Sequence, residues 1–99
     1  MVKLIALYKT PPDVELFERH YFSVHLPLVE NIPGLLKAEV TRISGSPFGN
    51  TDFHLMAEMY FESADAMNAA NASKEGRAAA KDLMGFAGGI VTLLTGEVR

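Results

Sequence analysis

Phe53-His54-Leu55-Met56-Ala57-Glu58-Met59-Tyr60-Phe61 is the stretch that orders the rest of the chain. Successive side chains of a strand leave opposite faces, so this run predicts a strand with Phe53, Leu55, Ala57, Met59 and Phe61 on one face. His54, Met56, Glu58 and Tyr60 take the other. Upstream, Gly45-Ser46-Pro47-Phe48-Gly49-Asn50-Thr51-Asp52 has the composition of a loop. Leu35 to Ser44 before it predicts another strand, with Leu36, Ala38 and Val40 set against Lys37, Glu39 and Thr41. Asn31-Ile32-Pro33-Gly34 supplies the turn into it. Downstream, Ser63 is a helix cap with Asp65 in the first turn, and the helical region runs on to Phe86 with a break expected at Gly76. Gly85, Gly88 and Gly89 close that region, and Ile90 to Val98 predicts a last strand.

The first third reads as strand then helix. Val2 to Lys9 is apolar on both sides, as in a strand covered twice. Thr10-Pro11-Pro12-Asp13 stops it, because proline brings no amide donor and Asp13 is a good N-cap with Glu15 just inside. Val14, Phe17, Tyr21, Val24 and Leu28 then recur at helical spacing and predict one sheet-facing stripe. Pro27 is expected to end or kink this helix, since its ring clashes with the Ser23 carbonyl.

The order is β-α-β-β-α-β over a single domain, residues 1–99. It predicts an α+β, ferredoxin-like fold: a four-stranded antiparallel sheet with its helices on one face. The opposite face would then expose Ile5, Leu7, Met56, Tyr60 and part of Ile90 to Leu94. A mean hydropathy of +0.12 fits the same surplus of apolar surface. Two such sheets pressed together would cover it, so a homodimer through the sheet face is expected.

Charge and composition remove several classes of function. Nine Lys and Arg against twelve Asp and Glu, with no basic cluster, argue against a nucleic-acid partner. With no cysteine there is no disulfide, thiolate catalysis or cysteine-ligated metal. Leu83 to Gly96, the longest uncharged run, is too short and too broken by glycine and threonine to span a bilayer, and the start has no signal-peptide pattern. A cytoplasmic protein without membrane association is expected.

Three histidines limit the chemistry to His20, His25 and His54. On an α-helix residues five apart point about 140° from one another, so His20 and His25 should not share a ligand. His54 and Glu58 lie about 13 Å apart along a strand, too far for one ion. No metal site is expected. Tyr21 and His25, four apart, are neighbours on the helix, where an imidazole beside a phenol can carry a proton near neutral pH. The plainer alternative is that Tyr21 fills core and His25 caps carbonyls at the helix end. His54, Glu58 and Tyr60 form a second candidate site on the outer sheet face, set against the alternative that they only satisfy one another there. No serine lies in a nucleophile elbow, and Gly85-x-x-Gly88-Gly89 precedes a strand, so it cannot cradle phosphate at a helix start.

Phe17-x-x-x-Tyr21-Phe22-x-x-His25-x-Pro27-Leu28-Val29, followed by Ile32-Pro33-Gly34-Leu35, resembles the EthD-like proteins of the dimeric α+β barrel superfamily. The likeness covers nearly the whole chain. It implies a homodimer whose two sheets form a barrel, with a small-molecule cavity between each sheet and its own helices. It also implies His25 as the functional residue with Tyr21 beside it. Relatives in the superfamily include cofactor-free monooxygenases, cyclases and lactone isomerases. The expected function is therefore a cofactor-independent enzyme, or enzyme accessory, acting on a hydrophobic, ring-containing metabolite of catabolic or polyketide-like metabolism. The alternative is a non-catalytic dimeric ligand-binding or stability partner of a degradation pathway.

Overall fold

The computed structural model describes residues 1–99. The elements in chain order are β1 (Val2–Lys9), α1 (Val14–His20), a π turn (Tyr21–His25), α2 (Leu26–Glu30), β2 (Lys37–Arg42), β3 (Phe53–Phe61), α3 (Ala64–Ala72), α4 (Lys74–Ala87) and β4 (Val91–Glu97). The four strands form one antiparallel sheet in the order β2-β3-β1-β4, the ferredoxin-like arrangement that the element order predicts. All helices cover one face, and the core lies between: Tyr8, Leu55 and Phe61 from the strands are fully buried with Tyr21 from the helical layer.

The caps form as their residue types dictate. Asp13 accepts from the Leu16 amide at 3.0 Å and Ser63 from the Ala66 amide at 3.1 Å, each satisfying a helix-end donor. The second helical region does break, but at Ser73, which ends α3 and caps α4 by accepting from the Gly76 amide at 3.0 Å. Gly76, where sequence composition places the break, sits inside α4. Its bare Cα is needed because a Cβ there would collide with the Ala70 carbonyl as α4 folds back on α3. Gly34, at φ 85°, makes the left-handed step that leads into β2.

The first helical segment departs from expectation in a way that decides the site. Helical backbone runs through Pro27 to Glu30, and the accommodation lies one turn earlier. Between Tyr21 and His25 the turn widens, and the Leu26 amide donates to the Tyr21 carbonyl five residues back. The wider turn relieves the clash that a proline makes inside a regular α-helix. It also changes which residues face in. The buried series is Phe17, Tyr21, His25 and Val29, while Val14 and Val24 of the expected stripe are 40% and 42% exposed. In an α-helix a spacing of four drifts steadily round the axis. One turn holding more than 3.6 residues cancels part of that drift and keeps all four on the core side.

A second departure lies in β3. Its register with β1 slips between Tyr8 and Lys9, Tyr8 facing Leu55 and Lys9 facing Phe53, so His54 is an extra residue in the ladder. A bulge re-aims the side chain it carries. His54 turns to the first helix, while Glu58 and Tyr60 keep the outer face that strand alternation gives them.

Candidate functional site

Between the sheet and the helices lies a cavity of about 210 Å³, of whose 16 lining residues 13 are hydrophobic. Ala57, Met59 and Phe61 of β3 form part of its wall, as do Ala79, Ala80 and Leu83 of α4. Of the β3 face that alternation turns to the helices, Ala57, Met59 and Phe61 line it and Phe53 and Leu55 do not, so it sits toward the end of the strand. Tyr8, Tyr21 and His25 are the titratable groups that reach it.

His25 is buried, 5% exposed, and not an edge residue at the helix end. Its Nδ1–H donates to Asp82 Oδ2 of α4 at 3.0 Å, so a side-chain carboxylate holds the ring and no backbone carbonyl is needed. The same carboxylate accepts from His20 Nε2 at 2.9 and 3.0 Å. Two histidines five apart thus meet one group, contrary to their expected divergence, because the π turn packs five residues into close to a full circle. Phe86 of α4 packs at a tilt against both rings, with centroids at 4.5 Å from His20 and 5.1 Å from His25 and interplanar angles of 36° and 52°.

With Nδ1 committed to Asp82, Nε2 is the ring nitrogen left without a partner in the chain. Burial pulls the imidazole below its ordinary pKa, while Asp82 pulls it back up, so near pH 7 the ring is neutral and Nε2 carries a lone pair. Such an arrangement can take up a proton: an uncharged acceptor on a ring that lines an apolar cavity, with a carboxylate behind it to stabilise the imidazolium formed.

Two phenols complete the lining. Tyr21 packs 5.6 Å, centroid to centroid, from His25, and Tyr8 lies edge-on to Tyr21 at 5.6 Å. Burial pushes the Tyr21 hydroxyl up to about 12 and the Tyr8 hydroxyl further, with Tyr21 and Asp82 adding to the latter, so both keep their protons. The third histidine has other neighbours than His20 and His25. His54 Nε2 donates to Glu18 at 2.7 Å, and Arg42 grips the same carboxylate at 2.9 and 3.1 Å. On the outer face Glu58 pairs with Lys3, and Tyr60 lies under the ammonium groups of Lys3 and Lys37, 5.4 and 4.5 Å from its ring centre. The structure therefore joins Tyr21 and His25 and separates His54 from Glu58 and Tyr60.

Asp82, Tyr8 and His20 are the members of the cluster that sequence spacing misses. Asp82 lies 57 residues from His25. Its one local signal is position: it adjoins Leu83 and follows Ala79 by three, so it flanks the buried stripe of α4. No three His, Asp or Glu side chains converge in a geometry able to hold a metal ion. No helix is long and apolar enough to cross a membrane.

Residues 9–89 match the EthD domain. The chain is 35% identical over 94 residues, 95% of its length and 91% of the relative's, to an uncharacterized 11.0 kDa protein of the thcB-thcC intergenic region in Rhodococcus erythropolis. The crystal structure of an EthD family protein from Bacillus halodurans superposes with a TM-score of 0.97 at 49% identity, covering 100% of this chain and 99% of that one. SnoaB, a cofactor-independent oxygenase from Streptomyces nogalater, shares the fold alone: TM-score 0.72 and 16% identity over 99% of this chain and 92% of that one. Proteins of ferredoxin-like fold described as dimeric are also among the structural neighbours.

Proposed function

The chain belongs to the EthD domain family, and from that premise we propose that it is a cofactor-independent enzyme moving a proton on a hydrophobic, ring-containing metabolite. Isomerisation, cyclisation and oxygenation without a cofactor can each begin with such a transfer. His25 is the general base, Tyr21 orients it or the ligand, and Asp82 is a positioning residue acting through His25. One observation carries this assignment: a buried imidazole that lines an apolar cavity, with Nδ1 held by a carboxylate and Nε2 without a partner in the chain. A structural histidine has no need of the cavity or of a free nitrogen, so the purely binding role receives less support. SnoaB lends the precedent that this fold carries cofactor-independent oxygenation.

A thermal-shift screen of ring-containing metabolites tests it, since binding to the native state raises apparent stability. Compounds that stabilise both wild type and His25→Ala, but exchange or rearrange protons only with wild type, support catalysis. Equal turnover by the two proteins would remove His25 from the chemistry.

The working unit in this proposal is a homodimer closed through the outer sheet face. Ile5, Leu7 and Met56 are half-buried there and Leu94 is 48% exposed, an apolar surface that the helices leave uncovered. Around it the Lys3–Glu58 pair and the Lys37–Glu39–Tyr60 group satisfy one another, which suits a polar surround to an apolar contact better than a second ligand site. Met56→Lys is expected to shift the protein to monomer in light scattering at micromolar concentration, because an unpaired ammonium is costly inside an interface. A wild-type monomer under those conditions would exclude the dimer.

A further inference from the structure

The cavity also limits what His25 can act on, and Tyr8 supplies a part that its base lacks. A void of about 150 Å³ lined by apolar side chains holds benzene, so 210 Å³ accommodates one ring with a few substituent atoms. None of its lining residues is Lys, Arg, Asp or Glu. A charged ligand would lose its water there and gain no counter-charge.

Tyr8 is 1% exposed and its hydroxyl makes no hydrogen bond within the chain. Yet no fully shut-off side-chain nitrogen or oxygen lacks a partner. The hydroxyl therefore keeps contact with open space, and the space that Tyr8 lines is this cavity. A buried, unpaired donor lining the same cavity as a base is a place prepared for an acceptor atom.

We propose that Tyr8 is a catalytic residue that donates its hydrogen bond to a carbonyl oxygen, and that the substrate is a neutral, single-ring ketone or lactone with a C–H bond next to that carbonyl. This rests on His25 acting as base. Nε2 takes the proton from carbon, the C–H electron pair forms the carbon–carbon double bond, and the carbonyl π pair moves onto oxygen as an enolate. Tyr8 stabilises that oxygen while keeping its own proton, which burial holds well outside the range in which a phenol ionises at neutral pH. Where the ring also carries a carbon–carbon double bond β,γ to that carbonyl, the enolate is a conjugated dienolate, and return of the proton from the imidazolium to its γ-carbon moves the double bond into conjugation with no oxidant or reductant.

Two probes separate Tyr8 from His25. 4-Nitrophenol, assayed below the pH at which it ionises, presents a single neutral ring whose phenolic oxygen can accept from Tyr8 in place of the enolate oxygen, and toluene presents the ring alone. Tyr8→Phe is expected to weaken 4-nitrophenol binding roughly tenfold, in line with the loss of one hydrogen bond to a buried group. Toluene binding should be unchanged, which also shows the variant folded with its cavity intact. Exchange of the α-hydrogens of cyclohexanone in deuterium oxide should fall roughly a hundredfold in Tyr8→Phe, the scale of removing one donor from an oxyanion site. Unchanged nitrophenol affinity and exchange in Tyr8→Phe, with exchange still lost in His25→Ala, would overturn the Tyr8 assignment and leave the base standing. Exchange that survives His25→Ala would overturn the base instead. A three-ring phenol that binds as tightly as 4-nitrophenol would overturn the single-ring limit.

Discussion

Two carboxylates hold imidazoles at the first helical segment, Asp82 with His20 and His25 and Glu18 with His54, and the His25–Asp82 and His54–Glu18 pairs differ in what else claims the carboxylate. Glu18 is gripped by both oxygens in the fork of Arg42, which itself lies over the Phe22 ring at 5.1 Å. That guanidinium is the main cause of Glu18 ionising more readily than usual, and His54 adds to it. The charge is thus matched before His54 contributes. Asp82 has no Lys or Arg against it; two imidazoles are its partners. A proton gained at His25 therefore meets a carboxylate that no permanent cation has neutralised. His54 and Glu18 tie the helix to the sheet, and His25 and Asp82 can hold a travelling charge.

The sharpest way to break this contrast is to remove each imidazole. His25→Ala should cost roughly 10²- to 10⁴-fold in turnover, the usual worth of a positioned general base, read as kcat/KM on whichever ring compound the wild type accepts. A loss no larger than that of His54→Ala would make the two pairs equivalent.

Next in size is Asp82→Asn. It should lower kcat/KM roughly ten- to a hundredfold, because the ring loses its anchor and the imidazolium its counter-charge. The pH profile sharpens the point. Burial depresses the His25 pKa and Asp82 opposes it, so without the carboxylate the acid limb of the profile must move to lower pH even as the plateau falls. A limb that moves up would mean that Asp82 does not act on this group. The same shift has a stability sign. Below pH ~6.5 the unfolded chain takes up a proton at His25 that the folded chain refuses, so this part of the stability is lost as pH falls from there toward the folded pKa.

The smallest effect belongs to the clamp. His54→Ala should lower stability by about 1 kcal/mol, or about 4–8 °C in Tm for a domain this size, through a lost hydrogen bond to Glu18 and lost edge contact with Phe17. Its turnover should stay within about twofold of wild type. Calorimetry and the same kinetic assay check both.

Most of the fold is legible because it is written in local rules. The β3 limits follow from alternation alone, Asp13 and Ser63 cap the helices that their residue types forecast, and the β-α-β-β-α-β order leaves little choice of topology. The first helix is harder. Phe17 and Tyr21 belong both to the series through Val24 and Leu28 and to the one through His25 and Val29, and hydrophobicity favours the first. What selects the second is Pro27, whose ring needs a wider turn, and Asp82, which gives a buried His25 its partner. That partner is remote in the chain, so no spacing pattern carries it. The slip that turns His54 is likewise a property of two strands meeting, and β3 by itself alternates without interruption.

The π turn also bears on how this chain should be aligned with others. Such a turn amounts to an α-helix carrying one residue too many, the footprint of a single inserted codon. Omitting exposed Ser23 would leave Tyr21 and His25 three positions apart and Tyr21 and Val29 seven apart, spacings that a plain α-helix keeps on one side. His20 and His25 would then stand four apart and could still share a carboxylate. A relative without the extra residue could thus present the same groups to the same cavity, provided it also lacks the proline, whose cost inside a regular helix is about 3 kcal/mol. Homology in this family is better judged with a gap allowed between Tyr21 and His25 than by matching the interval between them.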